Sequence, residues 1–109
     1  MGKELTNEAL GVIAERFRIL SEPIRLRLLQ GLREGERTVT ELTRDLDISQ
    51  PNASKHLRLL QESGLVARDQ RGNSVYYSIA DESIFALCEA VCDSLGERFR
   101  ERAEILGVV

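Results

Sequence analysis

Two short helical patterns separated by a three-residue turn constrain this chain more than any other feature of its sequence. The first runs from Glu41 to Leu46, with Thr40 as its expected N-cap, and the second from Gln50 to Glu62. Asp47-Ile48-Ser49 is the turn between them. Ser49 caps the second helix, and Pro51 sits in its first turn, where a missing N–H does no harm. Gly64 is placed to end it as the C′ residue. Two such helices around a tight turn form a helix-turn-helix.

The flanking elements follow from the same rules. Leu5 to Leu20 reads as an amphipathic helix, with Ala9, Leu10, Val12, Ile13, Phe17 and Leu20 at three- and four-residue steps. Ser21-Glu22-Pro23 breaks it, and a second helix runs from about Pro23 to Leu32, with Gly31 and Gly35 bracketing its end. After Gly64 the texture changes. Leu65–Asp69 and Ser74–Ile79 are β-type runs, and Gln70-Arg71-Gly72-Asn73 is hairpin-turn chemistry. Asp81 then caps a long last helix, about Glu82 to Arg102, whose apolar stripe is Ile84, Leu87, Cys88, Val91, Cys92, Leu95 and Phe99. The predicted fold is mainly α with a small β-hairpin, in the order α-α-α-α-β-β-α.

At 109 residues this is one domain. Its core must be aliphatic, because only 5% of the chain is aromatic and it has no Trp. No apolar run approaches the ~18 residues of a membrane span, and the N-terminus lacks the apolar core of a secretory signal. With two Cys, the expectation is a reduced protein of the cytoplasm, away from membranes.

Within the second helix of the motif, Ala53, Leu57 and Leu60 share a face that belongs in the core. Gln50, Asn52, Ser54, Lys55 and Arg58 are left free. Gln and Asn pair with adenine edges, Arg and Lys reach guanine or phosphate, and Ser can do either. A solvated helix face has a similar composition. What favours nucleic acid is the hairpin directly behind it, with Arg68, Arg71 and Asn73 at or near its tip. Tyr76 and Tyr77 point to opposite faces, so one packs inward and the other offers its hydroxyl. The net charge of −3 hides a division: residues 16–80 carry +3, and both ends are acidic. A phosphate-binding face needs only local positive charge.

His56 is the one histidine, beside Lys55, with no Cys, His or carboxylate at a ligand-like spacing on its helical face. It reads as a packing or phosphate-contacting residue. No nucleophile–base pair, Gly-rich phosphate loop or HExxH-type set is present, so an enzyme is not expected.

The run Phe17-Arg18-Ile19-Leu20-Ser21-Glu22-Pro23-Ile24-Arg25-Leu26-Arg27-Leu28-Leu29 resembles the start of the ArsR/SmtB-type bacterial repressors. Ser49-Gln50-Pro51-Asn52-Ala53-Ser54-Lys55-His56-Leu57-Arg58-Leu59-Leu60 with Gly64-Leu65-Val66 is similar to that family's recognition-helix signature, and Arg71-Gly72-Asn73-Ser74-Val75-Tyr76-Tyr77 to its wing. The resemblance covers about residues 12–80. It implies a homodimeric winged helix-turn-helix repressor that leaves its double-stranded DNA operator when an effector binds. It also implies dimerisation through the first and last helices, residues 1–20 and 81–104, with the helix-turn-helix at 40–62 and the wing at 65–79. Two recognition helices about a two-fold axis read half-sites ~34 Å apart, so the operator is expected to be an inverted repeat.

The same resemblance bears on the effector. Metal-sensing members place a Cys pair at the start of the third helix, where this chain has Val39-Thr40-Glu41-Leu42-Thr43. Others place Asp and His ligands on the last helix, where the matching residues are Asp81, Ser83, Ser94 and Glu97. Both imidazoles are missing, and carboxylates alone hold zinc poorly. Two alternatives stay open. Cys88 and Cys92, spaced i and i+4, could bind a thiophilic metal or metalloid as inducer, or respond to an oxidant. They could equally be small apolar packing residues, with control by an organic ligand or a protein partner.

Overall fold

The computed structural model describes residues 4–107 and builds the helices in the expected order, with one strand added. Helix α1 (Asn7–Leu20) starts at Thr6, whose hydroxyl accepts from Ala9 N at 3.0 Å. Helix α2 (Pro23–Gly31) carries Pro23 in its first turn, and Glu22 Oε1 accepts from Ile24 N at 3.0 Å.

Strand β1 (Arg37–Thr38) has only two residues, too short to show an alternating pattern. It corrects one expectation. Helix α3 (Val39–Leu46) is capped by Thr38, not Thr40. Thr38 is extended as the end of β1, so its hydroxyl accepts from Glu41 N at 3.1 Å while Glu41 Oε1 accepts from Thr38 N at 2.9 Å. This reciprocal capping box satisfies two otherwise orphaned backbone donors. Thr40 already lies inside the helix.

The turn after α3 closes with Asp47 in the left-handed region, φ 54° and ψ 51°. Asp is among the few side chains that tolerate this conformation. Helix α4 (Gln50–Glu62) begins at Ser49, whose hydroxyl accepts from Asn52 N at 3.3 Å. Gly64 follows its end at φ +79°, where a Cβ would be strained.

Strands β2 (Val66–Arg71) and β3 (Ser74–Ile79) form the hairpin, with Arg68 opposite Tyr77 and Arg71 opposite Ser74. The turn is therefore tighter than the sequence suggested: only Gly72 and Asn73 lie between the strands, and Gln70 and Arg71 still pair. Strand β1 adds to the other side of β3, giving a three-stranded antiparallel sheet in the order β1-β3-β2. Helix α5 (Ser83–Leu106) follows, with Asp81 Oδ1 accepting from Ser83 N at 3.0 Å.

The core is a leucine cluster. Leu28, Leu29, Leu32, Leu42, Leu57, Leu60 and Leu65 are essentially sealed from solvent, with Ile84, Phe85 and Tyr77 packed at its margin. It draws on every helix, but unevenly. Only Ile19 and Leu20 of α1 are buried, while Leu10, Val12, Ile13 and Phe17 face outward. Beyond Phe85, Val91, Leu95 and Phe99 of α5 are likewise exposed. These outward parts of the two terminal apolar stripes have no cover among the described residues.

Candidate nucleic-acid interface

Helix α4 and the hairpin meet at an angle and leave an open groove of about 1080 Å³ between them. Gln50, Ser54, Lys55, Arg58, Gln61 and Glu62 line its helical wall, and Arg68, Val75 and Tyr77 line the strand side. The inward face of α4 (Ala53, His56, Leu57 and Leu60) fixes the helix on the core, which leaves Gln50, Ser54, Lys55 and Arg58 facing out.

Charge separates these residues from the rest of the surface. Residues 16–80 contain eleven basic side chains. Arg16, Arg18, Arg33, Arg37, Arg44 and Arg71 pair with carboxylates, and Arg25 and Arg27 donate to backbone carbonyls. Lys55, Arg58 and Arg68 make no such bond to another described residue, and all three line the groove. The acidic residue on this wall is Glu62, one turn beyond Arg58. Gln61 and Glu62 share this flank with Arg58 by their i+3 and i+4 spacing, a signal already present in the sequence.

The structure gathers Gln50, Ser54, Lys55, Arg58 and Arg68 but sets the other expected contacts apart. Asn52 is half-buried, and Asn73 is exposed in the hairpin turn. Of the two roles expected for His56, the structure favours packing over phosphate contact: it is 6% exposed and turned into the core. Its Nδ1 lies 3.1 Å from Arg25 Nη1, and Arg25 Nε donates to the Ile19 carbonyl at 2.7 Å. A guanidinium has only donors, so Nδ1 is the acceptor and Nε2 carries the proton of a neutral imidazole. Burial, then the Arg25 and Lys55 charges, hold the His56 pKa below its ordinary value against the smaller pull of Glu22.

Arg71 is not free either. Its Nη1 and Nη2 donate to the two oxygens of Glu36 at 2.7 and 2.8 Å, and Nε donates to Asp69 at 2.9 Å. Its guanidinium carbon stands 4.4 Å from the centroid of the Tyr76 ring. Tyr77 is the inward tyrosine and Tyr76 is half-buried beneath this arginine.

On α5, Cys88 is half-buried and Cys92 exposed. Asp81 does not resemble a metal ligand in waiting. Arg16 Nη1 donates to it at 3.2 Å while Arg16 Nη2 donates to the Ser63 carbonyl at 3.0 Å. A cation already sits beside that carboxylate, and with Ser83, Ser94 and Glu97 as its companions the donor set does not fit zinc.

A helix-turn-helix whose second helix opens onto a groove walled by a β-hairpin defines the winged helix-turn-helix class. The comparisons agree. The helix-turn-helix domain family matches residues 20–69. The chain is 36% identical over 77 residues to the HTH-type transcriptional repressor SmtB of Mycobacterium tuberculosis, a match covering 71% of this chain and 57% of that protein. The chain thus spans little more than half the length of that relative. The crystal structure of M. tuberculosis Rv0081 superposes with a TM-score of 0.78 at 32% identity, covering 90% of this chain and 99% of that one. The homodimeric winged helix-turn-helix DNA-binding domain of Mycobacterium bovis Mb0332, a possible ArsR-family regulator, superposes with a TM-score of 0.73 at 31% identity, covering 90% and 95%. The chain belongs to the ArsR/SmtB family of helix-turn-helix regulators.

Proposed function

We propose that this protein is a homodimeric, sequence-specific DNA-binding transcriptional repressor of the cytoplasm. One observation carries the reading: Lys55, Arg58 and Arg68, the basic side chains between residues 16 and 80 without an internal partner, converge on one open groove with Gln50 and Ser54. Lys55, Arg58 and Arg68 take backbone phosphates. Gln50 and Ser54 read base edges, with Asn52 beside them at the helix N-terminus and Asn73 at the wing tip. The free N–H groups at the start of α4 favour a phosphate there too.

A second copy covers α1 and α5. Leu10, Val12, Ile13 and Phe17 on one helix and Val91, Leu95 and Phe99 on the other are too many large exposed apolar side chains for a monomer to carry without a partner. The solved relative Mb0332 is itself homodimeric. Two-fold pairing presents two α4 helices to an inverted repeat. Selection of bound sequences from a random duplex pool tests the reading. An enriched inverted repeat supports it, and a pool without enrichment overturns the sequence-specific part.

The exposure of Cys92 supports a second layer, control by thiol chemistry. Cys92 and half-buried Cys88 lie one turn apart on α5, beside the exposed Val91 and Leu95. A thiophilic metal or metalloid held there would draw its further donors from a second copy or from solvent. Either that or oxidation would disturb the dimer helices and hence the spacing of the two α4 helices.

A further inference from the structure

The wing holds a group that the DNA-binding reading leaves without a role. Arg71 ends β2, crosses over Tyr76 of β3 and reaches Glu36, the residue before β1. One guanidinium thus spans the sheet from edge to edge. All three of its nitrogens donate to carboxylate oxygens, two of them in a parallel fork to Glu36. That fork is the geometry a guanidinium also adopts toward a phosphate. With Glu36 and Asp69 around one arginine, the cluster carries a net negative charge beside the turn at Gly72 and Asn73. Strands brought against a duplex there would present two carboxylates to its phosphates while their arginine is occupied.

We propose that Glu36 is an internal stand-in for a DNA phosphate. It holds Arg71 in the free protein and lowers binding to DNA of arbitrary sequence, releasing the arginine only to a duplex that α4 has already seated. Arg71 and Glu36 are 49% and 42% exposed. Ion pairs this exposed contribute little in water, so the exchange needs no rearrangement of the core. The Tyr76 ring gives Arg71 a fixed platform on which to swing between the two partners. The inference rests on the DNA-binding reading.

The test is the affinity of the full chain for a random-sequence duplex, followed by fluorescence anisotropy across a salt series. Glu36→Gln is expected to tighten binding about tenfold for a dimer and to steepen the salt slope by about 0.9 per protomer. Arg71→Ala is expected to bind no tighter than wild type, and the double variant to behave like Arg71→Ala. Equal urea midpoints for wild type and Glu36→Gln guard against a wing disturbed by the Glu36 change. Binding that is unchanged or weaker in Glu36→Gln overturns the proposal. So does equal tightening in the Arg71→Ala background, since that would be loss of a negative charge and not competition. If wild type and every variant ignore the duplex at low salt, the DNA-binding reading falls and this proposal with it. If wild type binds and Glu36→Gln does not tighten, this proposal alone falls.

Discussion

Arg25 on α2 donates to Nδ1 of His56 on α4 across 3.1 Å, while its Nε holds the last-turn carbonyl of Ile19 on α1. Arg25 is 8% exposed and no carboxylate pairs with it among the described residues. One buried cation therefore ties the helix that would carry the dimer contact to the helix that would carry DNA, with a neutral imidazole as the acceptor.

That pairing makes stability sensitive to acid. The His56 pKa lies below its ordinary value in the folded chain and near 6.5 in the unfolded one. Between those two values the unfolded chain binds more protons, so stability rises with pH there and is lost as pH falls below about 6.5. Urea unfolding between about pH 7 and pH 5.5 is expected to show this fall in wild type and a flatter profile in His56→Gln, whose amide can still accept from Arg25. Equal slopes would remove His56 as the cause.

The capping box at α3 is open to direct measurement. Thr38→Ala removes the acceptor for Glu41 N and is expected to cost about 0.5–2 kcal/mol, whereas Thr40→Ala, inside the helix, is expected to cost less. Denaturant midpoints of the two variants decide it, and a larger loss from Thr40→Ala would contradict the observed cap.

In the groove, phosphate and base contacts are expected to separate. Lys55→Ala, Arg58→Ala and Arg68→Ala each weaken binding to all sequences and reduce the salt slope by about 0.9 per protomer. Gln50→Ala relaxes preference at one position, by about 1–3 kcal/mol, and leaves the slope unchanged. Binding isotherms on the selected operator and on a scrambled duplex distinguish the two behaviours.

The terminal helices supply a fourth prediction. Phe17 and Phe99 are 51% and 59% exposed, so Phe17→Asp and Phe99→Asp remove nothing from the core of a single chain. Sedimentation is expected to show a dimer for wild type and a folded monomer for either variant. DNA affinity is expected to fall at least about tenfold, because the second half-site is no longer held in the same molecule. A variant that stays dimeric would place the interface elsewhere.

The thiols supply the last. Native mass spectrometry of the reduced dimer with arsenite is expected to show stoichiometric uptake by wild type and none by Cys88→Ser or Cys92→Ser, with loss of DNA affinity in the loaded wild type only. Uptake that persists in both variants, or none in wild type, returns the cysteines to a packing role.

Much of this was legible in one dimension because it depends on local chemistry. Ser49 ahead of Pro51, Gly64 after Glu62, and Gln70-Arg71-Gly72-Asn73 between β-type runs each act within a few residues, so their spacing alone places α4 and the hairpin, though not the exact turn, which the strand pairing narrows to Gly72 and Asn73. The period of Ala53, Leu57 and Leu60 likewise sets which side of α4 faces out, and with it Gln50, Ser54, Lys55 and Arg58. The periodicity of α1 and α5 marked apolar stripes, but a stripe on a helix does not say whether its own chain or another covers it.

What only the tertiary structure decided are partnerships between distant residues. Strand β1 exists because β3 offers Arg37 and Thr38 a ladder, and the same pairing moved the α3 cap from Thr40 to Thr38. His56 went inside because Arg25, 31 residues away, supplies a donor that makes a buried imidazole tolerable. Arg71 lost its freedom to Glu36, 35 residues away. Helix and turn formation are decided by neighbours along the chain. Whether a charged side chain is free to meet a ligand is decided by which opposite charge the fold brings within about 3 Å, and sequence spacing carries no record of that distance.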